Sequence, residues 1–257
     1  MKLSKYTNSF YDSVAARADL TYSHIFRIFD NHFEFSSVKD VGCGNGAWLR
    51  STLKNNRIKF RVGYDIKSAI ENSSKFQNES IEFREIDLES TSYSLVESDL
   101  SLCLEVAEHL TSHSAVRVIN NICSNSKYVI FSGATPGQGG YNHINEQKIE
   151  YWISLFEFNN FVAVDLFRED LKNISKIPSF YRNNILLFIS KTELDQLNQQ
   201  SNFKKELLKF VNSHDQILDY RSFLEKIQAF FLSKLNFKII NMLSLLKFYL
   251  NSLFRKQ

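Results

Sequence analysis

A cluster of glycines near residue 44 constrains this chain more than any other feature. Only 8 of the 257 residues are glycine, and three of them, Gly42, Gly44 and Gly46, fall within five positions. They follow a predicted strand at 37–41 and precede an apolar helix start at 47–49. Because glycine lacks a Cβ and adopts positive φ readily, such a turn lets a ligand lie against the bare backbone.

Strand-like and helix-like segments alternate from residue 10 to residue 190. The predicted strands are 37–41, 59–64, 81–86, 99–104, 128–132, 161–167 and 184–190. The predicted helices are 10–29, 46–55, 115–122 and 149–158. This alternation predicts βαβ units and therefore an α/β fold with a mostly parallel sheet. Residues 191–200 are polar and suggest a linker or a fraying helix.

Acidic residues stand where three of these strands end. Asp65, Asp87 and Glu105 each follow a strand, and a second glycine loop, 133–140, follows the next one. In open α/β sheets, ligands bind at the carboxyl ends of the strands. The acids and both glycine turns are therefore expected to line one site.

Two cofactors compete for this site. The spacing Gly42-x-Gly44-x-x-Ala47, with Asp65 downstream, fits a dinucleotide fingerprint. S-adenosylmethionine fits more of the residues. Asp40, two positions before the first glycine, suits its ammonium group, and Asp87 suits the adenine amino group. Since this cofactor has no pyrophosphate, the turn needs backbone access rather than anion binding. A nicotinamide cofactor and a purely structural turn stay open as alternatives.

The same residues resemble a known family. Residues 38–49, 63–65 and 87–88 resemble the cofactor motifs of class I S-adenosylmethionine-dependent methyltransferases. Residues 104–110, 136–152 and 181–184 resemble a bacterial group found beside glycosyltransferases in surface-polysaccharide or secondary-metabolite pathways. The resemblance covers roughly residues 8–192.

This resemblance implies a fold, a reaction and a set of cofactor contacts. The fold would be a Rossmann-like, seven-stranded, mostly parallel sheet with an antiparallel last strand and, beyond it, a helical C-terminal extension. The resemblance is specific for methyl transfer and does not name the acceptor; we expect O-methylation of a small molecule or glycan intermediate, with transfer to a nitrogen as the alternative. The first turn would cradle the methionine moiety, Asp65 would hold the ribose, Asp87 and Leu88 would bracket adenine, and Glu105 would flank the cofactor.

A cluster of Glu and His residues follows the fourth strand. Glu105, Glu108 and His109 have the i, i+3, i+4 spacing of one helical face, and His143 follows the next strand. Two Glu and two His side chains suit a divalent metal. The motif resembles the metal site of small-RNA terminal 2′-O-methyltransferases and of ubiquinone-pathway O-methyltransferases. The alternative is that Glu108 and His109 only hydrogen-bond the loop and no metal binds.

Methyl transfer to a hydroxyl group needs a base, because the hydroxyl is weakly acidic. His143 is the first candidate and His109 the second. Asn145, Glu146 and Gln147 are expected to orient a polyhydroxylated acceptor, and Tyr181 to close the pocket. The simpler alternatives are that His143 only orders its loop and that Asn145 caps the helix that follows.

Charge divides the chain into two parts. Residues 1–202 carry a net charge of −3, whereas residues 203–257 hold 10 basic and 4 acidic residues, a net charge of +6. The acidic body argues against nucleic-acid binding and so against RNA 2′-O-methylation, the second hypothesis. The third, a degenerate scaffold domain, conflicts with the intact set of cofactor residues. We expect a methyltransferase domain at 1–192 and a basic amphipathic helical extension at 193–257.

The end of that extension is strongly apolar. Residues 235–254 form a broad apolar face with a narrow basic edge, which suits a peripheral membrane contact. Packing on the domain or in a homodimer suits the same pattern. The three cysteines, Cys43, Cys103 and Cys123, have no metal-ligand spacing and indicate a reducing compartment. With no apolar run at the N-terminus, we expect a cytoplasmic protein, or one on the inner membrane face.

Overall fold

The protein folds around one seven-stranded sheet with the strand order β3-β2-β1-β4-β5-β7-β6. A computed structural model describes residues 8–73, 80–199, 226, 229, 232, 234, 235 and 239–244. The strands are β1 (Ser37–Val41), β2 (Phe60–Asp65), β3 (Glu82–Glu85), β4 (Ser98–Leu104), β5 (Ser126–Ser132), β6 (Phe161–Val164) and β7 (Leu186–Ser190). The helices are α1 (Asn8–Asp30), α2 (Ala47–Ser51), α3 (Lys67–Ser73), α4 (Ser112–Ser124), α5 (Ile149–Phe158), α6 (Arg168–Leu171), α7 (Ser179–Asn184) and α8 (Lys191–Gln199).

The sheet is parallel except at one strand. Strand β1 pairs in parallel with both β2 and β4, so that Asp40 lies between Gly63 and Leu102. Strand β7 runs antiparallel to both of its neighbours, β5 and β6. The Rossmann-like sheet, mostly parallel with an antiparallel last strand, is therefore confirmed.

Two apolar layers cover the two faces of the sheet. On one face, α1 buries Tyr22, Phe26 and Phe29 at helical spacing, and Phe29 meets Tyr128 of β5 with ring centroids 5.6 Å apart. On the other face, Phe156 of α5 stacks on Phe188 with centroids 3.8 Å apart. Because both faces are covered, the central strands β1 and β4 are buried on both sides rather than alternating between buried and exposed residues.

The predicted strand at 161–167 is too long. The strand ends at Val164, because the next residue, Asp165, pairs with Arg168 three positions on. The Arg168 guanidinium donates to both carboxylate oxygens and to the carbonyl of Asn183, and this begins the short helix α6. Helices α3, α6 and α7 had no predicted counterpart.

The segment after β7 is a helix rather than a linker. Helix α8 crosses the predicted domain boundary at 192, and Leu194 and Leu197 pack against the core. The Tyr128 hydroxyl donates to Glu193 Oε1 over 2.7 Å. Farther along, residues 239–244 are helical, whereas most of the predicted apolar face at 235–254 lies outside the described residues. Within the described part of the chain, no helix is long and apolar enough to cross a bilayer.

Candidate active site

The first glycine turn has the predicted backbone geometry. Gly42, Gly44 and Gly46 all have positive φ, at 79°, 55° and 76°. A Cβ on Gly42 would lie 2.4 Å from Val106 Cγ2, so the close approach of the loop after β4 requires glycine there. The Gly42 amide donates to the Tyr64 carbonyl over 2.8 Å, which fixes the turn against β2.

Asp40 has a buried carboxyl group, and no basic side chain of the described residues forms an ion pair with it. Its side chain is on β1, the residue is 3% exposed, and Oδ2 has no hydrogen-bond partner among the residues described. Burial, with a further contribution from the charge of Asp65, raises the pKa of Asp40 to about 8. A buried acid of this kind is a place where a bound cation is stabilised.

Asp65 ends β2 and shapes the same turn. Its Oδ2 accepts the Gly44 amide over 2.7 Å and its Oδ1 accepts the Ile66 amide over 2.7 Å. Burial raises the pKa of Asp65, and the two amides oppose that shift. Each oxygen keeps a second lone pair, so the predicted bond to a ribose hydroxyl is compatible with this arrangement and stays a prediction.

Asp87 and Leu88 lie two and three residues beyond β3. Asp87 is exposed and its Oδ1 accepts the Glu89 amide over 2.9 Å, whereas Leu88 is buried. An exposed acid beside a buried apolar side chain is consistent with the predicted bracket for adenine, which stays a prediction.

Glu105 has an unusual backbone conformation at the end of β4. Its φ is +57°, which is uncommon for a residue that is not glycine and occurs often at functional sites. Its Oε2 accepts Gln138 Nε2 over 2.9 Å, while its Oε1 is enclosed without a partner among the described residues. Gln138 in turn accepts Asn184 Nδ2 over 2.7 Å. This link between β4, the second glycine loop and α7 was not predicted.

The Glu-His cluster forms, but not on one α-helical face. Only Ala107–His109 are helical, as a 3₁₀ turn, and the conformation of Glu105 excludes it from that turn. One potential metal-ligand atom from each of Glu108, His109 and His143 lies within 4.8 Å of the other two. Glu105 is not one of these three, although its carboxyl group is close enough to Glu108 to raise the pKa of that residue.

Each member of this cluster is an electron-pair donor. Glu108 is fully buried, and neither of its carboxylate oxygens has a hydrogen-bond partner in the described chain. Burial, and then the charge of Glu105, raises the pKa of Glu108 well above its usual range. Burial, and then His143, lowers the pKa of His109 to about 4, so this ring is neutral at pH 7. The two imidazole rings lie 4.8 Å apart.

The second glycine loop is organised around Glu146. Its two carboxylate oxygens accept the amides of Gly137 and Gly139, each over 2.8 Å, and Oε1 also lies 3.0 Å from His143 Nδ1. Because an ionised carboxylate only accepts hydrogen bonds, Nδ1 of His143 donates in this contact, and Nε2 is the ring nitrogen that the contact does not use. Glu146 therefore orients His143.

Asn145 and Gln147 are engaged within the protein. Asn145 donates to the Ala107 carbonyl over 3.2 Å, and its Oδ1 accepts from Ser112 and Gln147, each over 2.9 Å. The alternative that Asn145 caps α5 is wrong, because that helix begins at Ile149 after Lys148 and has no side-chain cap.

Tyr181 joins α7 to the helix that follows the glycine turn. It is 6% exposed, and its hydroxyl accepts Trp48 Nε1 over 3.4 Å. Burial raises the pKa of Tyr181, so the phenol is neutral. Its predicted role in closing the pocket stays a prediction.

Comparison with known proteins identifies the domain. Residues 39–131, from β1 to the end of β5, match a family model described as a methyltransferase domain. This part of the chain is therefore similar to methyltransferase domains. No curated protein matches the chain in sequence.

Solved structures of methyltransferases share the fold. An O-methyltransferase family protein from Burkholderia thailandensis is 12% identical with a TM-score of 0.56, covering 71% of this chain and 58% of that one. Magnesium protoporphyrin IX methyltransferase from Synechocystis PCC 6803, with bound SAH, is 17% identical with a TM-score of 0.52, covering 69% and 84%. This chain thus spans little more than half of the first of these proteins.

Proposed function

We propose that the protein transfers a methyl group from S-adenosylmethionine to an oxygen of a small molecule or glycan intermediate. The observation that carries the donor assignment is the buried carboxyl of Asp40 beside the positive-φ glycine turn, with an Oδ2 that has no hydrogen-bond partner among the described residues. The methyltransferase match at 39–131 and the O-methyltransferase family neighbour support this reaction class. A polysaccharide or secondary-metabolite pathway is the setting that the sequence resemblance suggests.

The donor residues have complementary tasks. When bound, S-adenosylmethionine supplies a methyl group on a sulfonium centre, a good leaving group. Asp40 holds the ammonium group, Asp65 the ribose, and Asp87 with Leu88 the adenine. Gly42, Gly44 and Gly46 give the methionine moiety access to the backbone. Glu105 flanks the donor on the acceptor side.

His143 is the proposed base for the acceptor hydroxyl. Its Nδ1–H is held by Glu146, so Nε2 accepts the proton that the hydroxyl loses as its oxygen attacks the methyl group. His109 is the second candidate, since it is neutral at pH 7. Asn145 and Gln147 support the loop that presents His143, and Tyr181 closes the pocket.

A divalent cation is a second arrangement that one observation favours. Glu108 is fully buried beside two imidazole rings, and by distance and angle neither of its carboxylate oxygens forms a hydrogen bond with the described residues, although the Ala134 amide and the Glu105 carboxyl lie nearby. Carboxylate and imidazole suit Mn²⁺, Fe²⁺ or Zn²⁺, and the residues present fit such an ion. A cation there would neutralise the Glu108 charge and polarise an acceptor oxygen. Because a cation and a proton would compete for Nε2 of His143, this arrangement excludes His143 as the base.

Two assays separate these possibilities. Tritiated S-adenosylmethionine is incubated with the protein and, separately, with a small-molecule extract, a lipid-linked glycan fraction and total RNA. We expect label in one of the first two fractions. Label only in RNA would replace the proposed acceptor, and absence of donor binding would favour the scaffold hypothesis. Undiminished turnover after exhaustive chelation would rule out the cation.

A further inference from the structure

The described C-terminal segment (226, 229, 232, 234, 235 and 239–244) lies on the second glycine loop. Asn241 Oδ1 accepts the backbone amide of Asn142 over 2.7 Å, between residues 99 positions apart. A Cβ on Gly137 would lie 2.4 Å from the carbonyl oxygen of Ala229. Ala229 itself is 7% exposed. The two backbones therefore meet at a distance that no larger residue at 137 allows.

A second contact places the same segment farther along the loop. A Cβ on Gly139 would lie 2.9 Å from Leu232 Cδ1. The amides of Gly137 and Gly139 are the two that Glu146 accepts. The C-terminal segment thus contacts the same two glycines whose hydrogen bonds to Glu146 organise the loop of His143.

Asn142 connects this contact to the imidazole pair. It has a φ of +60°, and its carbonyl lies 3.3 Å from His109 Nδ1, while its amide meets Asn241. His143 is the next residue. One residue in a left-handed conformation is therefore held by the C-terminal segment on one side and by His109 on the other.

We propose that the C-terminal segment is a wall of the acceptor site and that Asn241 is a positioning residue for His109 and His143. The proposal rests on the proposed function, since it takes the loop after β5 as the acceptor side. The donor residues Asp40 and Asp65 are on β1 and β2, away from this loop in the sheet order. Loss of the Asn241 contact should therefore change acceptor chemistry and leave donor binding intact.

The test compares three full-length variants with the wild type. Asn241→Ala removes the oxygen that accepts the Asn142 amide, and Asn241→Asp keeps an oxygen in the same place. Met242→Ala is the matched control, since Met242 neighbours Asn241 and is 61% exposed. Hydrogen exchange over residues 137–146, calorimetric affinity for S-adenosylmethionine, and turnover with the labelled acceptor fraction are measured on each.

In Asn241→Ala we expect the Asn142 amide to exchange about fivefold faster or more, the scale of one lost hydrogen bond. Turnover should fall about tenfold, while donor affinity stays within about twofold. Asn241→Asp should recover both exchange protection and turnover, and Met242→Ala should match the wild type. The proposal is overturned if Asn241→Ala matches Met242→Ala, or if Asn241→Asp behaves like Asn241→Ala. If the wild type binds no S-adenosylmethionine, the proposed function is refuted. The hydrogen-exchange data then still test whether Asn241 holds the second glycine loop.

Discussion

Replacing Asp40 by Asn should reduce the loss of stability as the pH rises from 4 to 7 and should weaken binding of the donor. Asn has nearly the shape of Asp and carries no charge. In the donor-free protein, the Asp40 carboxyl is buried, lacks a partner at Oδ2 and has a pKa of about 8 against 3.8 when unfolded. Ionising the Asp40 carboxyl inside the folded protein is therefore unfavourable, and the substitution by Asn removes this free-energy cost.

The sign and size follow from proton linkage. Because the pKa of Asp40 is raised in the folded state, the folded protein holds the proton more tightly than the unfolded chain. The contribution of this proton to the free energy of unfolding is complete below about pH 3.8 and is lost as the pH rises towards 8. Between pH 4 and pH 7 the loss amounts to about 4 kcal/mol, at 1.36 kcal/mol for each unit. The difference in unfolding free energy between Asp40→Asn and the wild type should grow by that amount over this interval.

Urea denaturation followed by circular dichroism, at several values between pH 4 and pH 7, measures this difference. Calorimetry at pH 7.5 should show that Asp40→Asn binds S-adenosylmethionine about tenfold to a hundredfold more weakly, since a charged hydrogen bond is lost. Stability curves that run parallel for the two proteins would refute the assignment of a raised pKa to Asp40. Equal donor affinity would refute its role with the ammonium group.

Three further predictions concern the Glu-His cluster, the proposed base and the C-terminal segment. Glu108→Gln should stabilise the cation-free protein above about pH 5, because burial raises the pKa of Glu108. The same substitution should abolish any rise in melting temperature caused by Mn²⁺. A variant with unchanged stability and an unchanged Mn²⁺ response would contradict this prediction. His143→Ala should lower kcat by a factor of about 10² to 10⁴. Glu146→Gln should lower kcat by a smaller factor, and donor affinity should be unchanged in both variants. An unchanged kcat in His143→Ala would contradict the assignment of His143 as the base. The double variant Leu235→Ser/Leu243→Ser should lose flotation with anionic liposomes if the exposed apolar residues of the C-terminal segment touch a membrane, and equal flotation would remove that hypothesis.

Local sequence signals predicted the sheet well and the short helices poorly. Strand β1 and helix α5 lie at their predicted bounds, because an apolar run before a glycine turn and a 10-residue amphipathic pattern are both strong signals. Helices α6 and α7 have only 4 and 6 residues, too few for a helical period to show. Pairing of Asp165 with Arg168, which shortens β6, depends on burial that no local pattern reveals.

The sequence predicted which residues lie at the candidate site better than it predicted their hydrogen bonds and backbone conformations. The pattern of acids after strands indicated Asp65, Asp87 and Glu105, since topology alone brings strand ends together. It gave no hint that Glu105 would have positive φ and bond Gln138. The contact of Asn241 with the second glycine loop is a long-range contact, which spacing within one segment cannot reveal.

Direct titration of the protein with S-adenosylmethionine tests the central claim. We predict saturable binding in calorimetry, weakened at least tenfold by Asp40→Asn and by Asp65→Ala, together with transfer of labelled methyl groups to a hydroxylated acceptor. A wild-type protein that is folded by circular dichroism yet shows neither binding heat nor methyl transfer would contradict the assignment of this site to the methyl donor.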